Sequence, residues 1–217
     1  MRIAITLWAT ILSAVAVAGP AAAEPDVDID ITYAQPDVAE QNGNIVYYDR
    51  LGNEHPLTQG GGFVQPRLSP DGKIAVFIKV EKEGEPGYDV ARTSVWLANV
   101  RTGKSWQLLA SSRSDEMTAN LAAMWKPQFS VGGKAVYVMA EAWVTSSAIH
   151  RIDIASAQHR FIIDGELLDV ETSGKYRGYL FVRKRRYLPG PDYGTDYPLY
   201  YISPDGKRSV MIPNSAE

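Results

Sequence analysis

The stretch that decides the fold is Ser69-Pro70-Asp71-Gly72-Lys73, which runs directly into the apolar segment of residues 74–80. A type I turn favours serine or aspartate at its first position, proline at its second and glycine at its last. The pentapeptide therefore predicts a tight turn between two strands, formed by residues 63–68 and 74–80.

Two weaker copies of this turn follow along the chain. Residues 130–134 read Ser-Val-Gly-Gly-Lys before the apolar residues 135–139, and residues 173–175 read Ser-Gly-Lys before residues 178–182. A hairpin that returns at intervals indicates a repeat architecture, in which each repeat is one supersecondary unit.

A second hairpin signature alternates with the first. It is an apolar strand followed by a glycine-centred turn, with the turn glycines at Gly52, Gly103 and Gly206. These glycines are separated by 51 and then 103 residues, and residues 149–158 form the missing copy without its glycine. A period of about 50 residues that carries four strands is typical of a β-propeller blade.

The strand count predicts an all-β fold with about four blades, each a four-stranded antiparallel sheet. Residues 63–110, 125–163 and 166–212 each provide four strands, whereas residues 45–58 provide two, with a further strand at residues 29–33. The blades either close into a ring or form an incomplete one. The cost of leaving sheet edges unpaired favours closure.

The repeat also resembles a known family. Residues 57–61, Leu-Thr-Gln-Gly-Gly, and residues 65–77, Gln-Pro-Arg-Leu-Ser-Pro-Asp-Gly-Lys-Ile-Ala-Val-Phe, are similar to the blade repeat of TolB-type (WD40-like) β-propellers. The similarity is specific over residues 45–80 and degenerate over 95–212. It implies a propeller that serves a binding role, and related blades occur in the propeller domains of prolyl-oligopeptidase-type peptidases.

The amino terminus has the order of a secretory signal. Arg2 precedes an apolar run over residues 3–18, and three alanines at residues 21–23 precede Glu24. The run is shorter than the ~20 residues of a membrane span. We therefore expect cleavage of residues 1–23, a single propeller-like domain over residues 24–217, no membrane span after cleavage, and a periplasmic or secreted location.

Composition restricts the chemistry of the chain. It has no cysteine, which excludes disulfides, thiolate catalysis and a lipoprotein anchor. Loss of Arg2 with the signal changes the net charge from −3 to −4, a balance that disfavours nucleic acid as a partner. No Gly-x-Ser-x-Gly elbow and no glycine-rich phosphate loop before a helix occur. We predict no catalytic residue, cofactor or metal.

The histidines and tryptophans receive structural interpretations. His150 and His159 can face each other across a hairpin, and we interpret them as polar residues on its solvated outer surface. The tryptophans are predicted to fill the space between neighbouring sheets; they are Trp96, Trp106, Trp125 and Trp143.

One basic cluster is the candidate binding surface. Arg183, Lys184, Arg185 and Arg186 end an apolar strand and precede a loop rich in tyrosine, proline and glycine. Alternation along a strand places Arg183 and Arg185 on one face. With the loop tyrosines they can bind an acidic peptide or a sugar, and the alternative is a solvated strand end. The tyrosines are Tyr187, Tyr193 and Tyr197.

These sequence patterns leave three alternative hypotheses for the function. The first is an exported, non-catalytic propeller scaffold that binds an envelope or secreted protein. The second is a propeller hydrolase or lyase acting on peptide or glycan. The third is an accessory subunit, in a homo-oligomer or with another chain, that completes a shared propeller.

Overall fold

The computed structural model describes residues 35–83, 91–143, 146–188, 190 and 194–213, all within the compact unit Tyr33–Glu217. These residues form strands, turns and one short 3-10 turn, Met117–Ala119. The predicted signal segment 1–23 and the strand predicted at 29–33 lie outside the described residues.

The strands form four antiparallel sheets in chain order, together with one inserted hairpin. The first sheet comprises β1 (Asp37–Gln41), β2 (Asn44–Tyr48) and β3 (Glu54–Pro56). The second comprises β4 (Phe63–Leu68), β5 (Ile74–Lys82), β6 (Arg92–Asn99) and β7 (Ser105–Leu109). The third comprises β8 (Met124–Phe129), β9 (Ala135–Trp143), β10 (Ser146–Asp153) and β11 (His159–Asp164).

The fourth sheet contains an insertion. Its strands are β12 (Glu166–Val170), β13 (Leu180–Arg183), β16 (Leu199–Ile202) and β17 (Ser209–Met211). Between β13 and β16 the chain forms the inserted hairpin, β14 (Arg186–Leu188) and β15 (Gly194–Asp196). The predicted all-β architecture of four-stranded antiparallel sheets is confirmed, and the first sheet has three described strands.

The predicted turn at residues 69–73 is present, and its side chains explain its stability. The Gly72 amide donates to the Ser69 carbonyl oxygen at 2.9 Å, as a type I turn requires. The Ser69 hydroxyl donates to Asp71 Oδ1 at 2.7 Å, and the Lys73 amide donates to the same carboxylate at 3.2 Å. These bonds hold the pKa of Asp71 below its ordinary value. Asp71 is therefore a turn residue.

The turn between β16 and β17 repeats this arrangement. The Ser203 hydroxyl donates to Asp205 Oδ1 at 2.6 Å, and the Gly206 amide donates to the Ser203 carbonyl at 2.8 Å. We call the end of the sheets that carries these turns the turn end. The opposite end, where β5 joins β6, β9 joins β10 and β13 joins β16, is the loop end.

The core lies between neighbouring sheets because the central strands are buried on both faces. In β9, Val136 and Val138 pack into a cluster with the second sheet, whereas Tyr137 and Met139 pack into a cluster with the fourth. A further cluster joins the first and second sheets through residues such as Phe77. Two-sided burial explains why these strands are continuous apolar runs.

Within the described residues, the row of sheets does not close into a ring. Three apolar clusters connect the four sheets, and none of them joins the fourth sheet to the first within the described residues. On the face of the fourth sheet that points away from the third, Tyr201 stacks on Tyr176 with ring centroids 4.2 Å apart and contacts Phe181 at 5.7 Å. Of the two predicted alternatives, a closed or an incomplete ring, the described sheets show the incomplete one, although edge cost favoured closure.

Glycine substitutions at the two turns separate backbone strain from steric contact. Gly72 (φ +70°) has open space around it, whereas a Cβ at Gly206 (φ +77°) would lie 2.5 Å from the Ile162 carbonyl oxygen of the third sheet. We expect Gly72→Ala to cost about 1 kcal/mol from the left-handed conformation, and Gly206→Ala to cost about 2–4 kcal/mol because backbone must also move. Urea titrations of both variants measure this, and equal losses would contradict the close packing of Gly206.

Candidate functional site

A large open cavity lies at the loop end, between the third and fourth sheets. Its volume is about 1010 Å³. The third sheet contributes the ends of β9 and β10, including Trp143, and the fourth contributes Glu166 at the start of β12 and Arg183 at the end of β13. Three aromatic side chains line it, namely Trp125, Trp143 and Tyr197, together with the charged residues Glu141, Glu166, Arg183 and Arg185.

One of the residues that line the cavity is a glycine at a position of close backbone contact. Gly165 joins the third sheet to the fourth with φ +135°, and a Cβ there would lie 2.8 Å from Val182 Cγ1 and 2.9 Å from the Arg183 carbonyl oxygen. Only a glycine permits β12 to begin so close to β13. This close approach places Glu166 opposite Arg183 in the strand register.

Arg183 is held by an ion pair across the two strands. Its Nε donates to Glu166 Oε2 at 3.0 Å, and its Nη2 donates to the same oxygen. Lys126 Nζ lies 3.9 Å from the other Glu166 oxygen. Glu166 is thus surrounded by two cations, and its negative charge is compensated within the protein.

Arg185 differs from its basic neighbours. It is half-buried, and its guanidinium lies over the ring of Tyr187, 4.8 Å from the ring centroid. Its Nε is buried and has no hydrogen-bond partner in the part of the chain that the structure describes. A buried donor that forms no hydrogen bond is unusual in folded proteins, and Arg185 also lines the cavity.

The remaining cations of the cluster are engaged away from the cavity. Arg186 pairs with Asp196 across the inserted hairpin, with Nε 3.0 Å from Oδ1. This ion pair raises the pKa of Arg186 and lowers the pKa of Asp196. Lys184 Nζ lies 2.8 Å from Asp164 Oδ1.

The structure separates the predicted site residues into three groups. Arg183 and Arg185 line the cavity together. Arg186 and the exposed Tyr187 lie on β14, so the segment after Arg186 forms a hairpin where the sequence analysis expected a loop. Tyr193 lies outside the described residues.

Sequence reasoning missed the third-sheet side of the cavity. Trp143 was assigned to the space between sheets, but 40% of it is exposed at the cavity. Glu141 was not considered; it lines the cavity, and its carboxylate forms no hydrogen bond or ion pair within the described part of the chain. Strand topology was the signal that could have identified these two residues. They lie in the last three positions of β9, and the basic cluster follows β13. Both strands finish at the loop end of the sheets.

The histidines do not form the solvated pair that the sequence suggested. His150 is fully buried, with ring centroids 5.9 Å from Phe161 and 6.2 Å from His159, and neither ring nitrogen has a partner among the described groups. Burial, and then the charge of His159, lower the pKa of His150 to about 4. Within the described ranges, no cluster of three or more His, Asp or Glu residues is arranged to hold a metal ion.

Comparison with solved structures defines the class of protein as a β-propeller. The fold is similar to TolB from Acinetobacter baumannii, with a TM-score of 0.53 and 18% identity, over 84% of this chain and 41% of that chain. It is similar to the β-propeller domain of the Trilobed protease from Pyrococcus furiosus, with a TM-score of 0.51 and 14% identity, over 79% and 48%. The tricorn protease matches with a TM-score of 0.56 and 13% identity, over 83% and 16%.

These similarities confirm the predicted resemblance to TolB-type propellers at the level of the fold. This chain spans less than half the length of each of these proteins. No family model matches the sequence, and no curated protein matches it. Among the residues described, no helix has the length and apolarity that a membrane crossing requires.

The buried histidine makes stability depend on pH. The unfolded chain binds a proton at His150 near pH 6.5, whereas the folded chain resists it until about pH 4. As the pH falls from 6.5 towards 4, the free energy of unfolding therefore decreases by up to about 3 kcal/mol. We expect His150→Phe to flatten the loss of stability over this range in urea titrations. His159→Gln should retain most of the loss, and parallel curves for wild type and His150→Phe would contradict the assignment.

Proposed function

We propose that the chain is an exported, non-catalytic β-propeller scaffold that binds a protein partner in the periplasm or outside the cell. The binding site is the cavity at the loop end of the third and fourth sheets. In this proposal residues 1–23 are removed and residues 24–217 form one propeller-like domain. The observation that carries it is the combination of three aromatic side chains with charged groups of both signs in one cavity of about 1010 Å³.

The composition of the cavity supports binding of a protein. Tryptophan, tyrosine and arginine are the residues that contribute most to protein–protein affinity when a partner covers them. Trp143 and Tyr197 are 40% and 47% exposed, so they are available to a partner and still anchored in the fold. The charged groups around them provide polar contacts that select the orientation of the partner.

The serines of the cavity favour a binding role over hydrolysis. Ser146 and Ser147 line the wall, and the Ser146 hydroxyl is directed to the Ser147 carbonyl oxygen at 3.5 Å. None of the described lining residues is a histidine that could accept a proton from either hydroxyl. An activated serine requires a base within hydrogen-bond reach, and no histidine, carboxylate or lysine among the described groups is hydrogen-bonded to either hydroxyl.

A shared propeller is the second candidate function, and the open row of sheets favours it. On the outward face of the fourth sheet Tyr201 contacts both Tyr176 and Phe181, and no further sheet packs on them in the described chain. In this arrangement the chain acts as an accessory subunit, and a second copy or another chain covers the aromatic face.

Light scattering distinguishes the shared propeller from a single chain. If two copies complete one another, the purified protein should have twice the mass of the mature chain, and Tyr201→Asp should return it to the mass of one chain. A charged residue on the aromatic face disfavours its burial in an interface. A concentration-independent mass of one chain for wild type would exclude a stable homo-oligomer.

The scaffold proposal is tested by replacing an exposed aromatic residue of the cavity. Trp143→Ala should weaken binding of the captured partner about tenfold or more, since central aromatic residues contribute about 2 kcal/mol or more to an interface. Leu51→Ala is the matched control, because Leu51 is 72% exposed and belongs to the turn between β2 and β3. The partner is cross-linked in an envelope extract, identified by mass spectrometry, purified and titrated by calorimetry. Equal affinities for Trp143→Ala and wild type would contradict binding at the cavity.

A further inference from the structure

We propose that Arg185 binds a carboxylate of a peptide whose neighbouring apolar side chains pack on the cavity aromatics. This inference rests on the proposed binding role of the cavity and specifies the ligand chemistry. It is based on the ion pairs around the cavity, which compensate most of the charged side chains there but not Arg185.

Arg185 is the basic side chain of the cluster that remains available. Arg183 is paired with Glu166, Lys184 with Asp164, and Arg186 with Asp196. The structure gives Arg185 no hydrogen bond or ion pair within the described residues, and its Nε is buried. A buried guanidinium donor without a partner carries a desolvation cost that an incoming acceptor removes.

The orientation of the Arg185 group suits a carboxylate. Tyr187 covers one face of the guanidinium at 4.8 Å. The N–H donors of arginine lie in the plane of the group, so stacking on a ring does not block hydrogen bonds made in that plane. Two parallel N–H donors match the two oxygens of a carboxylate, and such pairs are among the stronger hydrogen bonds in proteins.

The surrounding charges restrict the ligand to one that carries little excess negative charge. Glu166 is compensated by Arg183 and Lys126, so it contributes little repulsion. Glu141 lines the same cavity, and its carboxylate has no cation within ion-pair distance in the described chain. It therefore disfavours a highly charged anion and offers an acceptor for a peptide N–H or a basic side chain.

The aromatic residues supply the apolar part of the site. Trp125, Trp143 and Tyr197 line the cavity, with Met139 and Leu199 beside them. A peptide carboxylate can come from its carboxyl terminus or from an aspartate or glutamate side chain. In both cases the flanking apolar side chains contact these rings while the carboxylate reaches Arg185.

Three labelled peptides test the proposal by fluorescence anisotropy with the full mature chain. The first is a fluorescein-labelled hexapeptide that ends in two phenylalanines and has a free carboxyl terminus. The second is the same peptide with an amidated terminus, and the third is the amidated peptide with aspartate before the two phenylalanines. We expect the first or the third peptide to bind at least tenfold more tightly than the second, and whichever does so identifies the source of the carboxylate.

Two variants then assign the interaction to one side chain. Arg185→Gln should weaken binding of the preferred acidic peptide at least tenfold and leave the amidated peptide without aspartate within twofold. Arg186→Gln is the matched control, since Arg186 is paired with Asp196 on the inserted hairpin, and it should leave both within twofold. Thermal unfolding of both variants monitors the fold.

Three outcomes would overturn the proposal. The first is that wild type binds all three peptides with equal affinity. The second is that Arg185→Gln weakens binding of all three peptides by the same factor. The third is that no peptide binds. Each leaves the scaffold proposal standing if capture of the protein partner still depends on Trp143. Loss of that dependence would instead remove the cavity as the binding site.

Discussion

The packing of each sheet against its neighbours is the interaction on which the rest of the structure depends. Strands β5 and β9 bury both faces, so that Val76 and Phe77, or Val136 and Tyr137, contribute to different apolar clusters. Burial of both faces adds hydrophobic stabilisation on each side of one strand. It also fixes the register, because a shift by one residue would exchange the two faces. The cavity lies at the loop end of the third and fourth sheets, which the cluster around Tyr137 and Met139 holds together.

Local turn chemistry made the sheets predictable from sequence. The hydroxyl, carboxylate and glycine of residues 69–73 form a turn almost independently of their surroundings, and the copies recur at the blade period. The strand Asp37–Gln41 was missed although Asn42-Gly43, with φ +51° and +74°, is a strong hairpin signal. The sequence left a closed and an incomplete ring as alternatives, because closure depends on whether the outer faces of the end sheets meet, which no local pattern encodes.

The site was only partly predictable because its properties depend on pairs that are distant in sequence. The basic cluster at residues 183–186 was visible, but which of its cations stays free depends on Glu166, Asp164 and Asp196. Those pairings follow from the strand register and the inserted hairpin. Trp143 and Glu141 lie about 40 residues before the cluster and reach it only because two sheets pack side by side. His150 was likewise misassigned, since it lies on β10, an inner strand of the third sheet whose burial the hairpin sequence alone does not indicate.

The open row of sheets has a consequence for how stability is distributed along the molecule. A linear array in which each unit contacts only its neighbours behaves like a chain of coupled repeats. The second and third sheets have a neighbour on either side, whereas the first and fourth have one described neighbour each. We therefore expect the backbone amides of β5 and β9 to open only with the whole array, and those of the fourth sheet to open when a single apolar cluster is lost. One wall of the cavity thus belongs to a sheet with two packed neighbours, and the other wall to a sheet with one described neighbour.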